Sequence, residues 1–263
     1  MNATLITGAS TGIGEEFARQ LARRGDNLVL VARSADRLTA LANELGRAHN
    51  IHAHSIPLDL TQDNAPQQLF EETARRNLDI TLLINNAGFG SLGEFTAFPF
   101  ERDREMIELN ITSLVALTHL YIRPMQARGA GAIINVASTA AFQAVPYMAT
   151  YAATKAFVLS FSEALAEETR AQGVRVMALC PGATETNFFA AAKGERPPMR
   201  VVETPEAVVR TALRALERGQ SSVISGWTNF FVAQTTRFVP RAIVARIAGR
   251  AMRASYGANK NSV

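Results

Sequence analysis

The chain opens on a short apolar strand pattern, Thr4-Leu-Ile-Thr7, that runs directly into Gly8-Ala-Ser-Thr-Gly12-Ile-Gly14 and then a helical stretch from Glu15 to Arg24. No other segment restricts the fold as much. Glycines let backbone approach backbone or ligand with no Cβ in the way, and the helix that follows presents free N–H groups to an anion. The strand–helix alternation then continues down the chain. Strands are expected near 3–7, 27–32, 51–57, 80–84, 131–137, 174–180 and 221–225, and helices near 13–24, 34–47, 64–76, 102–127, 152–171 and 205–217. Continuous apolar strands alternating with helices call for a parallel sheet covered on both faces. The expectation is an α/β, doubly wound fold in a single domain spanning 1–263, with a basic C-terminal extension from about 228. A hydrophobic content of 48% is enough to fill its core.

A second feature carries chemistry. Tyr151 and Lys155 stand four apart in Tyr151-Ala-Ala-Thr-Lys155, and Ser138 lies thirteen residues earlier. On a helix, positions i and i+4 share a face, so phenol and ammonium point into the same space. A nearby cation favours tyrosinate, so the Tyr151 pKa is expected to fall below its usual ~10. A tyrosine tuned in this way exchanges a proton near neutral pH. Ser138 follows the apolar run Ala132–Ala137 and so belongs at the carboxyl end of a strand, the edge where open α/β sheets bind ligands.

Thr7-Gly8-x-x-x-Gly12-x-Gly14, Asp59, Asn85-Asn86-Ala87-Gly88, Asn110, Ser138, Tyr151-x-x-x-Lys155 and Pro181-Gly182 occur together and in this order. Over about residues 2–227 the chain resembles a short-chain dehydrogenase/reductase. The resemblance implies a Rossmann-type sheet of seven strands in the order 3-2-1-4-5-6-7. It implies that Tyr151 is the proton donor and acceptor, that Lys155 binds the nicotinamide ribose and lowers the tyrosine pKa, that Ser138 bonds the substrate oxygen, and that Asn110 holds a water in a proton relay. It places Gly8, Ser10, Thr11, Gly12, Ile13 and Gly14 around the pyrophosphate, and Asp59 and Leu60 at the adenine. Asn86, Ala87 and Gly88 would flank the adenosine ribose, and Pro181, Gly182, Thr184 and Thr186 would form the loop over the nicotinamide. Thr184 replaces an apolar member of that loop, a small departure. More loosely, Asn85-Asn-Ala-Gly-Phe-Gly90 and the tail resemble the branch containing long-chain 3-oxoacyl and 17β-hydroxysteroid reductases.

The choice between NAD and NADP turns on the end of the second strand, Asn27-Leu-Val-Leu-Val-Ala-Arg33. An acid there bonds the ribose 2′-hydroxyl of NAD, whereas an arginine takes the 2′-phosphate of NADP. Ala32 stands where the acid would be, Arg33 follows, and no carboxylate intervenes before Asp36. Ser10 offers that phosphate a further hydroxyl. The expected cofactor is NADP(H).

The substrate pocket should open at the same carboxyl edge, with Phe89, Ser138, Ala140, Phe142, Gln143, Tyr147 and Phe188 as candidate walls. Asn187 through Pro198, with Gly194, Pro197 and Pro198, reads as a lid. No arginine clamp is evident there, although Lys193, Arg196 and Arg200 supply charge. Mainly apolar walls suit an apolar or aromatic ketone or secondary alcohol. Two alternatives stay open: an epimerase or dehydratase on the same scaffold, and a non-catalytic NADPH-responsive or membrane-peripheral binding protein.

Charge is unevenly spread. Residues 218–263 hold seven Lys/Arg and no acid, while the rest of the chain has 20 basic and 23 acidic residues. The high pI therefore comes from the tail, and no nucleic-acid-binding face is expected. After Pro240, Arg246, Arg250 and Arg253 fall on one face of a basic helix, with Ile243, Val244, Ile247 and Ala251 opposite and Gly249 interrupting them. Three settings remain open for this helix: its own subunit beside the substrate mouth, a neighbouring subunit, or an anionic membrane surface, with Trp227, Phe230, Phe231 and Phe238 just upstream adding apolar area. In the resembled family, helices such as 102–127 and 152–171 pack on a second subunit, and the small residues Ala152, Ala153, Ala156, Ala164 and Ala166 suit that role. A homodimer or homotetramer is expected. A single cysteine, Cys180, fits a reducing compartment and a buried, inert thiol. The first strand starts too close to Met1 for a signal peptide, no run spans a bilayer, and no His/Cys cluster has metal spacing. The expected location is cytoplasmic, with membrane association left open, and no metal is expected.

Overall fold

A computed structural model of the chain describes residues 1–186, 188, 202–236 and 238–260, the last seven of these by backbone alone. Seven parallel strands form one sheet in the order β3-β2-β1-β4-β5-β6-β7. They are β1 (Asn2–Thr7), β2 (Leu28–Ala32), β3 (Ala53–Pro57), β4 (Asp79–Asn85), β5 (Gly131–Val136), β6 (Val174–Cys180) and β7 (Ser222–Ile224). The strand order reverses between β1 and β4, so the crevice at the carboxyl ends of these two strands is the ligand edge.

Two apolar layers sandwich the sheet. On one face, α1 (Gly12–Arg23), α2 (Ala35–His49) and α7 (Pro205–Glu217) pack through Phe17, Leu38, Leu45 and Leu213 onto Ile6, Leu30 and Ile134. On the other, α3 (Ala65–Arg75) and α5 (Leu114–Ala127) pack through Leu69, Leu117 and Met125 onto Leu5, Val29, Leu83 and Ile133. Strands apolar on both sides are what this arrangement demands, and residues 28–31 of β2 are fully buried.

The long helix expected over 102–127 is interrupted. It runs as α4 (Phe100–Ile107), widens into a π-helical stretch at Glu108–Ser113, and resumes as α5. A π-turn adds a residue to the turn and displaces one side chain from the regular face, and such turns recur at functional sites. Here the displaced turn carries Asn110, only 1% exposed.

Helix α6 (Ala149–Thr169) bears Tyr151 and Lys155 and is tied to the sheet by a buried polar chain. The Asn85 amide donates to Asn135 Oδ1 (2.9 Å) and Thr118 Oγ1 (3.0 Å), and the Asn135 amide donates to Ser162 Oγ (2.9 Å). Buried polar groups impose registry because each must find its partner. Through this chain the end of β4, the middle of β5 and α6 are fixed relative to one another.

Beyond β7 lie α8 (Trp227–Thr235) and α9 (Arg241–Lys260). Helix α9 docks on its own subunit, but not through the stripe that the sequence suggests. Ile243 and Ile247 are 45% and 59% exposed. Contact is made instead by Gly249, where an added Cβ would lie 3.2 Å from Pro146 Cγ, and by Met252, which is buried with Met148 and Tyr151. The glycine that breaks the apolar stripe lets the helix backbone approach Pro146.

Candidate active site

The glycine turn after β1 is closed against the end of β4. A Cβ on Gly14 would stand 2.2 Å from the Gly8 carbonyl oxygen and 2.5 Å from Asn86 Nδ2. A Cβ on Gly8 (φ +65°) would stand 2.8 Å from the same amide. Asn86 in turn donates from Nδ2 to the carbonyls of Thr7 (3.0 Å) and Gly8 (3.2 Å), while Thr7 Oγ1 accepts from the backbone N–H groups of Asn86 and Ala87, both at 3.0 Å. The turn is thus held rigid without filling it. Thr11 occupies the N-cap of α1 but makes no side-chain cap, so the first N–H groups of a twelve-residue helix have no cap from that side chain.

The opposite wall comes from the loop after β6. Gly12 (φ +62°) faces Thr186, whose Cγ2 would be 3.0 Å from a Cβ there. Thr184 Oγ1 donates to the Gly182 carbonyl at 3.1 Å, and Thr184 bridges to Glu203 across the chain. Thr186 thus faces the glycine turn, with Pro181, Gly182 and Thr184 preceding it in the same loop. At the far end, Asp59 Oδ1 accepts from Thr61 N (3.0 Å) and Oγ1 (2.8 Å), and the Leu60 carbonyl accepts from Ser113. Arg33, exposed at the end of β2, has no ion-pair partner among the described residues, and Arg37, also exposed, lies one helical turn further on. These features suit a dinucleotide phosphate. The cradle accepts no Cβ, a helix N-terminus opens on it, and an arginine stands at β2.

The four polar residues expected to do chemistry converge beside this turn. Asn110 is locked: Oδ1 accepts from Phe89 N (3.2 Å), and Nδ2 donates to the Phe89 carbonyl (3.0 Å) and to Thr154 Oγ1 (3.1 Å). Gly88 leaves room for it, since a Cβ there would meet Asn110 Oδ1 at 2.8 Å. Ser138 caps the short turn Thr139–Phe142 by accepting from Ala140 N at 3.1 Å. Lys155 Nζ donates to the Val136 carbonyl at 2.7 Å and sits 5.8 Å from the centre of the Tyr151 ring.

This geometry corrects the expected tuning of Tyr151. Its pKa is not lowered but pushed up to about 12, chiefly by burial, with the Ser138 hydroxyl opposing and Cys180 adding to the rise. The Lys155 ammonium is turned to a backbone carbonyl rather than to the phenol oxygen, and burial lowers its own pKa to about 8. In the protein alone desolvation wins over the neighbouring cation. Cys180 is buried and its thiol is raised to about 12, first by burial and then by Glu163, which agrees with an inert thiol.

The apolar surround of Tyr151 is partly as expected. Phe188 lies with its ring 5.1 Å from that of Tyr151, and Phe89, Ala140 and Tyr147 pack in the same cluster. Phe142 does not: it joins Ala137, Val158 and Cys180 in a different cluster, because the short turn after Ser138 rotates it away. Gln143 follows that turn in extended backbone, half-buried. Leu92, Met106, Met148 and Met252 complete the cluster and were not anticipated. Met106 and Met252 lie far apart in sequence on helices whose docking no local pattern reveals. Of the expected lid, Asn187 and 189–198 fall outside the described residues, as do Lys193, Arg196 and Arg200.

Comparison with known proteins agrees with this site. Residues 2–196 match the short chain dehydrogenase family. The chain belongs to that family. With relatives named as hydroxysteroid dehydrogenases and 3-oxoacyl-CoA reductases, the chain is an oxidoreductase of CH–OH and C=O groups. It is 33% identical over 230 residues to the 7beta-hydroxysteroid dehydrogenase of Mediterraneibacter gnavus, covering 86% of each chain. It is 30% identical over 260 residues to the very-long-chain 3-oxoacyl-CoA reductase of Bos taurus, covering 96% of this chain and 81% of the other. A solved short-chain dehydrogenase from Sphingobium yanoikuyae, in complex with NADPH, superposes with a TM-score of 0.80 at 35% identity, over 85% of this chain and 87% of that one.

Proposed function

We propose that this chain is an NADPH-dependent reductase of bulky apolar ketones, acting reversibly on the corresponding secondary alcohols. The observation that carries the reading is the convergence of Ser138, Tyr151, Lys155 and Asn110 beside a glycine cradle that no side chain fills. Bound NADPH supplies the hydride. Ser138 and Tyr151 hydrogen-bond the carbonyl oxygen, and Tyr151 delivers the proton that converts the developing alkoxide to an alcohol. Lys155 stabilises the tyrosinate left behind. Asn110, with both amide hydrogens spent on protein acceptors, is left only oxygen atoms with which to hold a relay water. Gly8 through Gly14 and the α1 N-terminus seat the pyrophosphate, Arg33 and Ser10 take the 2′-phosphate, and Asp59 with Leu60 borders the adenine. Asn86, Ala87 and Gly88 border the adenosine ribose, and Pro181, Gly182, Thr184 and Thr186 border the nicotinamide. The NADPH carried by the Sphingobium relative and the acyl and steroid substrates named for the others support this choice. A panel of ketones, aldehydes and secondary alcohols, assayed with NADPH and NADH, tests it. Turnover of a bulky ketone with NADPH is expected; a panel with no turnover in either direction contradicts it.

The reading extends to assembly and location. Residues 1–263 act as one NADP-binding unit whose basic extension begins near 228. Ala153, Ala156 and Ala164 are exposed on α6 beside Phe157, itself 41% exposed, which favours a homodimer or homotetramer in the cytoplasm through this face. No described helix is long and apolar enough to cross a membrane. The outward Trp227, Phe231, Phe238 and Ile247, in a tail without acids, favour peripheral contact with anionic lipid. Co-sedimentation with anionic vesicles that weakens with salt is the expected sign, and no binding at low salt is the contrary one.

A further inference from the structure

We propose that the substrate carries an anion, a carboxylate or a phosphate, and that Arg246, Arg250 and Arg253 of α9 hold it at the mouth of the active site. The proposal rests on the ketone-reductase reading of Tyr151 and adds the far end of the substrate to it. Gly249 and Met252 are the residues of α9 that pack on the protein, and Arg246, Arg250 and Arg253, all exposed, stand beside that contact. Spacing of i, i+4 and i+7 keeps the three guanidinium groups on one helical face. They line a cavity of about 520 Å³ whose opposite wall is Phe95, Pro146 and Tyr147. Phe95 and Tyr147 also line a smaller recess that Tyr151 borders, so this pair stands between the two spaces.

The charge in the cavity is unbalanced. Three arginines face one carboxylate, Glu94, and neither Arg246 nor Arg250 has an ion-pair partner among the described residues. Arg253 is already oriented, its Nε donating to Tyr147 Oη at 2.9 Å, which uses one of its five N–H groups. Tyr147 reaches it from a left-handed backbone (φ +67°), a conformation that a bulky residue rarely adopts and that is commonly found at functional sites. A planar guanidinium fork matches carboxylate and phosphate oxygens, and several in one recess exceed what a neutral ligand would need. The ligand that fits is elongated. Its ketone lies at Tyr151, its apolar body runs past Phe95 and Tyr147, and its anion ends among the arginines.

The test uses the full-length enzyme, NADPH, and aryl ketones bearing a terminal carboxylate on alkyl chains of three lengths, each paired with its methyl ester and with a terminal phosphate analogue. Wild type is expected to prefer the acid over the ester by roughly tenfold or more in kcat/KM, mostly through KM, at the chain length that spans the two spaces. The preference should shrink with added salt. In Arg246→Ala/Arg250→Ala, whose positions are exposed, the acid-to-ester ratio should fall close to one, whereas Arg218→Ala keeps the wild-type ratio. Whichever anionic analogue is favoured, carboxylate or phosphate, names the source of the anion. Equal handling of acid and ester by wild type, or a preference that survives the double substitution, overturns the proposal. If no ketone in the set is turned over, the reductase reading fails by itself. Calorimetric titration of the same acids and esters into wild type and the double variant then decides the anion site by the same ratio.

Discussion

The glycine cradle at Gly8–Gly14 and the arginine row of α9 hold their surroundings by opposite means. The cradle is backbone against backbone: three glycines, a threonine hydroxyl and one asparagine amide define it, and a Cβ at Gly14 would stand 2.2 Å from a carbonyl oxygen. The tail side is made of long, exposed side chains on a helix resting on a glycine and a methionine. The first can recognise a constant feature, a pyrophosphate, and tolerates almost no change. The second suits a feature that varies between substrates, and it can be altered residue by residue without disturbing the sheet. Tyr151 and Lys155 are buried deeply enough that desolvation outweighs their mutual attraction.

The sharpest way to break this contrast is at its centre. Tyr151→Phe removes only the proton donor, so turnover should fall roughly 10²–10⁴-fold while NADPH still binds. A variant that keeps more than about a tenth of wild-type kcat on a verified ketone would mean that Tyr151 is not the acid.

Next in size is the constant side. Arg33→Ala should reduce the preference for NADPH over NADH by roughly 10–150-fold, the range of one charge-assisted bond to phosphate. Fluorescence titration of both cofactors reads it, and equal wild-type dissociation constants would remove Arg33 from the site.

A smaller effect separates the tyrosine from its lysine. Reduction needs Tyr151 protonated and Lys155 charged. Burial lowers Lys155 to about 8 and raises Tyr151 to about 12, so kcat/KM for reduction should be flat below neutral pH and fall through about 8 as the lysine loses its proton. The tyrosine adds no loss in that range. Oxidation, which needs tyrosinate, should instead rise with pH. A reduction profile that stays flat well above pH 8 would show that the lysine is not held down by burial.

The smallest change lies on the variable side. Gly249→Ala places a Cβ 3.2 Å from Pro146 Cγ, so α9 must shift by a few tenths of an ångström. The expected cost is on the order of 1 kcal/mol, read as a small loss in thermal stability with KM for bulky ketones rising and that for NADPH unchanged. An equal rise in both would mean that α9 supports the cofactor as well.

The same contrast decides what could be read from the sequence. Glycine positions, apolar strands and the Tyr151–Lys155 spacing report local backbone needs, so the parallel sheet and the cofactor edge are legible, while the strand order follows from the family resemblance. Asn110 was legible as a residue but not as the occupant of a π-turn, because the extra residue in that turn leaves no compositional mark. The Tyr151 pKa is not legible from spacing, which gives adjacency but not burial, and Lys155 spends its ammonium on the Val136 carbonyl. In the tail, the hydrophobic stripe with Ile243 and Ile247 leaves open whether that face meets the same subunit, a neighbouring one or a membrane. The exposed stripe follows from Gly249 meeting Pro146, a contact over a hundred residues long in sequence that no periodicity encodes.

The central claim is direct hydride delivery from NADPH to a carbonyl held by Ser138 and Tyr151, and one isotope experiment tests it. Wild-type enzyme is given NADPH stereospecifically deuterated at nicotinamide C4, in separate incubations for each face, together with a bulky ketone, and the alcohol is analysed by mass spectrometry. The account predicts deuterium on the carbinol carbon from one face only, in amounts equal to the cofactor oxidised, and none with Tyr151→Phe over the same interval. Cofactor binding with no deuterium in the alcohol from either face would contradict it.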